Sequence, residues 1–189
     1  MRIIAGSAGG RRLRTLPGTR TRPTADRVKE AIFSMLTAQL PGSRVLDAFA
    51  GSGALGLEAL SRGADAAWFC ENNAAAARIC AANIEACAFA AARLITGDLF
   101  AVLTRLRREQ PLLRFDLIFL DPPYAQGLLE RAMTIIARDC WLSPDGLVVA
   151  ESAAAQESPG YAGFTLIKDK KYGDTAVRFY RPAGAVDQA

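Results

Sequence analysis

The chain has 189 residues, of which 51% are hydrophobic and 22% charged, enough for one domain with its own core and ordinary for a folded protein. No run of eighteen apolar residues occurs, and Met1-Arg2-Ile3-Ile4-Ala5-Gly6 lacks the apolar segment of a signal peptide, so a cytoplasmic protein without a membrane span is expected. Histidine is absent, which removes Ser–His and Cys–His catalytic pairs and the usual zinc chemistry. The cysteines at 70, 80, 87 and 140 show no Cys-x-x-Cys pair; they read as buried small hydrophobes, and no metal is expected.

The net charge of +4 is unevenly spread. Residues 1–44 carry nine Arg or Lys against Asp26 and Glu30, a net +7, and the remainder is therefore −3. Such a one-sided cluster points to a polyanionic partner. Arg11, Arg12, Arg14, Arg20 and Arg27 are the candidate nucleic-acid-binding residues.

In chain order, residues 2–5 and 11–16 are strand-like around a glycine-rich turn and predict a small N-terminal β-hairpin. Pro17-Gly18 ends it. A helix is expected over 25–39, capped by Thr24, with Val28, Ile32, Met35, Leu36 and Leu40 on its apolar face. Strands are then predicted at 44–49, 66–71, 93–96, 115–121 and 146–151, alternating with helices near 53–62, 73–87, 98–109 and 127–139. That alternation implies a parallel sheet covered on both faces. Residues 164–167 and 175–180, flanking Tyr172-Gly173-Asp174, read as a β-hairpin that closes the sheet.

The segment from Val45 to Gly56 is a strand entering a glycine turn and then a helix. Glycines there allow backbone N–H groups to approach a ligand closely, and Gly51-x-Gly53-x-x-Gly56 by letters alone also suits a dinucleotide. Asp47 decides between them: a carboxylate at the loop's mouth repels a pyrophosphate and attracts the ammonium and sulfonium of S-adenosylmethionine. Phe49, in the same loop, is grouped with the cofactor residues. Glu71, ending the next strand, suits ribose hydroxyls, and Asp98, ending the third, is placed for the adenine edge or as a helix cap. Acids at three successive strand ends are expected to converge on one crevice.

Asp121-Pro122-Pro123-Tyr124 follows an almost wholly apolar strand. The prolines fix the backbone and leave carbonyls as acceptors. An exocyclic base amine becomes a better nucleophile when Asp121 and the Pro122 carbonyl hold its N–H groups, and Tyr124 offers a face for the base to stack on. Positioning of the reacting groups can supply roughly 7–11 kcal/mol, and no strong general base is required. Rival readings are an adenine-N6 methyltransferase, which shares the tetrapeptide, an NAD-dependent oxidoreductase, and a non-catalytic RNA-binding module.

Four segments together, residues 2–11, 22–30, 47–60 and 121–124, with Lys171-Tyr172-Gly173-Asp174-Thr175 in the tail, resemble the RsmD family, the bacterial 16S rRNA (guanine(966)-N2)-methyltransferases. The Arg22-Pro23-Thr24-Ala25-Asp26-Arg27 segment is the most specific. The resemblance implies a class I, Rossmann-like methyltransferase fold with a seven-stranded sheet and helices on both faces. It implies S-adenosylmethionine over Asp47, Gly51, Gly53, Glu71 and Asp98, with Arg22 and Thr24 bordering its methionine end. The implied partner is 16S rRNA, free or in the assembling small ribosomal subunit. A monomeric single domain over 1–189 is expected: a basic extension at 1–22, a core at 23–182 and a loose tail at 183–189.

Overall fold

A computed structural model describes residues 1–16, 23–123, 127–155 and 160–184, and for residues 23–25 the backbone alone. Pro17, Gly18, Arg20, Arg22, Tyr124, the side chain of Thr24 and residues 185–189 lie outside the described set. Seven strands form one sheet: β1 Arg44–Asp47, β2 Ala66–Glu71, β3 Ala92–Thr96, β4 Phe115–Leu120, β5 Leu142–Ala153, β6 Phe164–Tyr172 and β7 Thr175–Pro182. Their order is β3-β2-β1-β4-β5-β7-β6. β1 to β5 run parallel, and β7 is antiparallel to both β5 and β6.

Central strands are buried on both faces, which is why β4 reads Phe-Asp-Leu-Ile-Phe-Leu with hardly a polar break. Val45, Phe69, Leu117, Phe119, Val149, Val177 and Phe179 pack on one face against α1 (Pro23–Met35), α2 (Ala54–Ser61) and α3 (Ala74–Cys87). Leu46, Trp68, Ile118, Leu120, Val148 and Tyr180 pack on the other against α4 (Leu99–Glu109) and α5 (Leu128–Arg138). The chain steps outward from β1 to β3 and then returns to β4, so a crevice opens at the carboxyl ends of β1 and β4, where open α/β sheets bind ligands.

Several boundaries differ from expectation. The first residues of the four later predicted helices, Gly53, Asn73, Asp98 and Gly127, are N-caps rather than helical positions. Asn73 and Asp98 each accept two backbone N–H bonds there. α1 begins at Pro23, not after Thr24, so Thr24 lies inside the first turn and is not the cap; proline suits that first position because its missing N–H would be unbonded anyway. α1 also ends at Met35, where the Thr37 hydroxyl bonds the Phe33 and Ser34 carbonyls and offers the chain a turn. β5 starts at Leu142 because a register shift accommodates Pro144. β6 continues through Lys168–Lys171, an exposed edge strand without the alternation that would mark it. Cys70, Cys80 and Cys87 are buried, but Cys140 is exposed, at a left-handed turn (φ 51°) just after α5.

The predicted N-terminal hairpin is short: one antiparallel bridge, Arg2 with Arg12, and backbone bonds from the Ile3, Gly10 and Leu13 N–H groups to the Arg11, Ile3 and Met1 carbonyls join its two limbs, without extended strands. Side chains of the core also hold this arm. Ile3 and Leu13 are buried in the first cluster. Glu58 of α2, fully buried, accepts the N–H of Ile4 (2.7 Å) and Ala5 (3.0 Å) and pairs with Lys29 (3.1 Å) and Arg62 (2.8 Å). Asn83 of α3 accepts the Arg14 N–H at 2.8 Å and donates to the Arg14 and Ser52 carbonyls. At the other end, Ala183, expected in the loose tail, donates to the Gly163 carbonyl at 2.8 Å. Among the described residues no helix is long and apolar enough to cross a membrane.

Glu58→Ala would leave Lys29 buried without its partner. A loss of about 3–5 kcal/mol is expected in urea unfolding, with faster hydrogen exchange at the Ile4 and Ala5 amides. A loss below about 1 kcal/mol would show that the arm does not depend on Glu58.

Candidate functional site

The loop after β1 is set by two carboxylates. Asp47, 3% exposed, accepts the Gly56 N–H at 2.9 Å, fixing the first turn of α2 beneath the strand end. Glu71 accepts the N–H of Gly51 and of Asn73, both at 2.7 Å, tying the loop to the end of β2. A Cβ on Gly56 would lie 2.3 Å from the Phe69 ring, so only glycine lets α2 approach β2 this closely. At Gly51 the backbone has φ +52° and a Cβ would meet nothing within 4 Å, because the position opens on a cavity. Gly53 closes the turn as the N-cap of α2.

That cavity has a volume of about 680 Å³, within the range of small-molecule sites. Asp47, Phe49, Gly51, Ser52, Asp121 and Glu151 line it, with Tyr172, Gly173, Asp174 and Thr175 from the β6–β7 turn. The structure thus brings together Asp47, Phe49, Gly51 and Asp121 of the sequence-predicted set. Glu71 and Asp98 stand on the neighbouring strand ends and do not line the cavity. Asp98 is exposed and caps α4 with Oδ1 alone, accepting from Phe100 and Ala101, which leaves Oδ2 uncommitted. Pro122 is buried and Pro123 exposed, so the first proline anchors the segment after β4.

Glu151, at the carboxyl end of β5, escaped the sequence reading. The signal was available, since an acid at a strand end had already marked Asp47, Glu71 and Asp98. The expected strand at 146–151 even ended on it, whereas β5 runs on to Ala153. Lys29 was missed as well, being a buried helix residue that lines the cavity wall while it pairs with Glu58.

Of the four acidic residues that line the cavity, Asp47, Asp121 and Glu151 at the strand ends have an electrostatic consequence. Burial pushes Asp47 up to about 7, partly offset by the Gly56 N–H and reinforced by Asp121 and Glu71. Glu151 is raised by burial and then by the charges of Asp121 and Asp47. Asp121 is raised by burial too, although the residue is exposed, which softens the effect. The charge of Asp121 thus bears directly on the protonation of Glu151. A cation entering the cavity would relieve all three, so the site suits a positively charged ligand. Among the described residues, no group of acid and cysteine side chains could hold a metal ion.

A basic surface lies on the same side of the sheet. Arg11, Arg12 and Arg14 of the arm and Arg27 of α1 are exposed. On β6, Lys168 pairs with Phe179 and Lys170 with Val177, both of which face the first cluster, so these lysines share the arm's side. Asp169 instead sits across from Arg178 and bonds it at 3.1 Å on the opposite face.

Removing one of the raised carboxyls has a signed effect on stability. Asp47 has a folded-state value near 7 against an ordinary 3.8, so folding stability falls as pH rises through that interval. Asp47→Asn, which can still accept the Gly56 N–H, is expected to exceed the native protein in stability by about 1–3 kcal/mol at pH 8, with the gap closing at pH 4. Thermal melts at the two pH values check this; a variant less stable at pH 8 would contradict it.

The chain matches the model of the family described as Conserved hypothetical protein 95 over residues 1–181. It is 38% identical over 186 residues to YlbH of Bacillus subtilis, covering 97% of this chain and 100% of that one. It is 37% identical over 183 residues to ribosomal RNA small subunit methyltransferase D of Haemophilus influenzae, covering 96% and 93%. The solved structure of yhhF from Escherichia coli superposes with a TM-score of 0.85 at 34% identity, covering 96% of this chain and 97% of that one. With likeness in sequence and fold running through almost its full length, this chain belongs to the RsmD family, that of ribosomal RNA small subunit methyltransferase D.

Proposed function

We propose that this protein is an S-adenosylmethionine-dependent methyltransferase that modifies the exocyclic N2 of a guanine in 16S rRNA, acting as a cytoplasmic monomer on the small ribosomal subunit or its RNA. The observation that carries the reading is one cavity with Asp47 at the end of β1 and Asp121 at the end of the adjacent β4. Family membership supports the rRNA substrate, since relatives bear the name ribosomal RNA small subunit methyltransferase D.

The residues present fit the cofactor. Gly51 opens on the cavity with no side chain to block it, and Asp47 offers a buried negative charge to the ammonium and sulfonium groups. Each Glu71 oxygen accepts one backbone N–H and keeps a lone pair for a ribose hydroxyl. Asp98 has Oδ2 for the adenine amine. Arg22 and Thr24 would border the methionine end. When bound, S-adenosylmethionine supplies an electrophilic methyl group on a cationic sulfur.

The chain's own task is to orient the amine. Asp121 accepts one N–H, the Pro122 carbonyl accepts another, and Tyr124 stacks on the base. Held this way, the nitrogen lone pair is directed at the methyl group instead of into the ring. The methylated nitrogen is acidic, and its proton passes to Asp121 or to water, so the lack of histidine is no obstacle. Arg11, Arg12, Arg14, Arg20 and Arg27, joined by Lys168 and Lys170, contact RNA phosphates.

Nucleoside mass spectrometry on undermethylated small subunits incubated with the protein is expected to show N2-methylguanine. N6-methyladenine in its place would support the adenine reading and overturn this one. Asp121→Ala should bind S-adenosylmethionine within about threefold of the native protein, yet lose about 10²–10³-fold in turnover. Retained turnover would remove Asp121 from the reaction. Replacing Arg11, Arg12, Arg14 and Arg20 by Gln should weaken RNA binding and flatten its salt dependence, with a slope lower by roughly 0.7–0.9 for each phosphate no longer neutralised. Unchanged binding would exclude the arm.

A further inference from the structure

We propose that Glu151 is a substrate-recognition residue that accepts the N1–H of the target guanine, so that the site selects guanine by its Watson–Crick edge. The inference rests on the guanine-N2 reading above. β4 and β5 are parallel and paired through Leu117 with Leu147, Ile118 with Val148, Phe119 with Val149 and Leu120 with Ala150. The next residues, Asp121 and Glu151, therefore stand side by side at adjacent strand ends, roughly 4.8 Å apart in the sheet direction, and both line the cavity.

The order of strands divides the cavity. Asp47 lies on β1, on one side of β4, and Glu151 lies on β5, on the other. A cationic methyl donor held at Asp47 leaves Glu151 on the substrate side of Asp121. Among the described residues, no hydrogen bond or ion pair engages the Glu151 carboxyl, which is costly for a half-buried acid unless a ligand supplies the donor.

Guanine supplies it. Along its Watson–Crick edge N2 is flanked by N1–H, and beyond that by O6. With N2 held by Asp121 and the Pro122 carbonyl, N1–H falls to the neighbouring acceptor. An ionised Glu151 accepts it directly. A protonated Glu151 accepts N1–H with its carbonyl oxygen and donates its own proton to O6. Adenine presents an unprotonated N1, which an ionised Glu151 repels and a protonated one could bond, so selection against bases without N1–H belongs to the ionised form, which the bound cationic donor favours. Acceptance of N1–H thus holds across the pH range in which the raised carboxyl changes state.

The test pairs a base change with a residue change. Small subunits are reconstituted with guanine or with 2-aminopurine at the modified position; the analogue keeps the exocyclic amine and lacks N1–H and O6. The native protein should prefer guanine by about 10–100-fold in kcat/KM. Glu151→Ala should narrow that preference to within about threefold, while calorimetry shows S-adenosylmethionine binding within about threefold of the native protein. Glu151→Gln, which keeps an N1–H acceptor and can turn its amide N–H toward the analogue's N1, should retain guanine turnover and narrow the preference by improving 2-aminopurine. It also serves where Ala disturbs folding. An unchanged guanine preference in both variants overturns the proposal, as does loss of S-adenosylmethionine binding, which would put Glu151 on the cofactor side. If the native protein forms no N2-methylguanine at all, the functional reading itself fails.

Discussion

Everything at this site follows from a concentration of carboxyl groups within one cavity. Asp47, Asp121 and Glu151 share it at the carboxyl ends of β1, β4 and β5. Lys29, which lines the same cavity, is committed to Glu58 and the Arg2 carbonyl. A parallel sheet makes the arrangement possible, because every strand leaves its last side chain at the same edge. The cost is a folded state that holds protons on groups ordinarily ionised. The corresponding gain is affinity for a ligand that brings positive charge, which links a stability penalty to a binding preference.

The basic arm belongs to the same construction. Its backbone lies against α2 and α3 and is secured by Glu58, Ser61 and Asn83, each bonding main-chain groups of residues 4–14. The arginines it carries are therefore held beside the cavity on a rigid support. Lys168 and Lys170 extend the cationic surface along the edge of the sheet, where exposure on both faces suits a charged strand. Positive surface outside and negative charge within divide the labour between a polyanion and a cationic donor.

Much of this was legible in the residues. The apolar runs of β1, β2 and β4, alternating with helical stretches, announce a doubly wound sheet, because buried parallel strands leave a continuous apolar signature. Asp47 could be picked out because a carboxylate at the mouth of a glycine loop suits a cation, and Asp121 because it opens a proline-fixed segment directly after an apolar strand. Glu151 was not picked out, although the expected strand at 146–151 ended on it: no glycine loop or proline turn follows it directly, as at Asp47 and Asp121, because β5 continues past it and pairs with β7. Glu58 was equally invisible. A glutamate in an amphipathic helix reads as solvent-facing, and only docking of the arm over α2 reveals it as fully buried. The lysines of β6 were hidden by the same logic in reverse, since an exposed edge strand carries no hydrophobic period.

The central claim, that the cavity's raised carboxyls await a cation, is tested most directly by proton linkage. S-adenosylmethionine would be titrated into the protein at pH 7 by calorimetry in two buffers of different ionisation enthalpy. The account predicts net proton release, because the bound cation draws Asp47 and its neighbours toward their ionised forms. Binding without proton release, or with proton uptake, would contradict it.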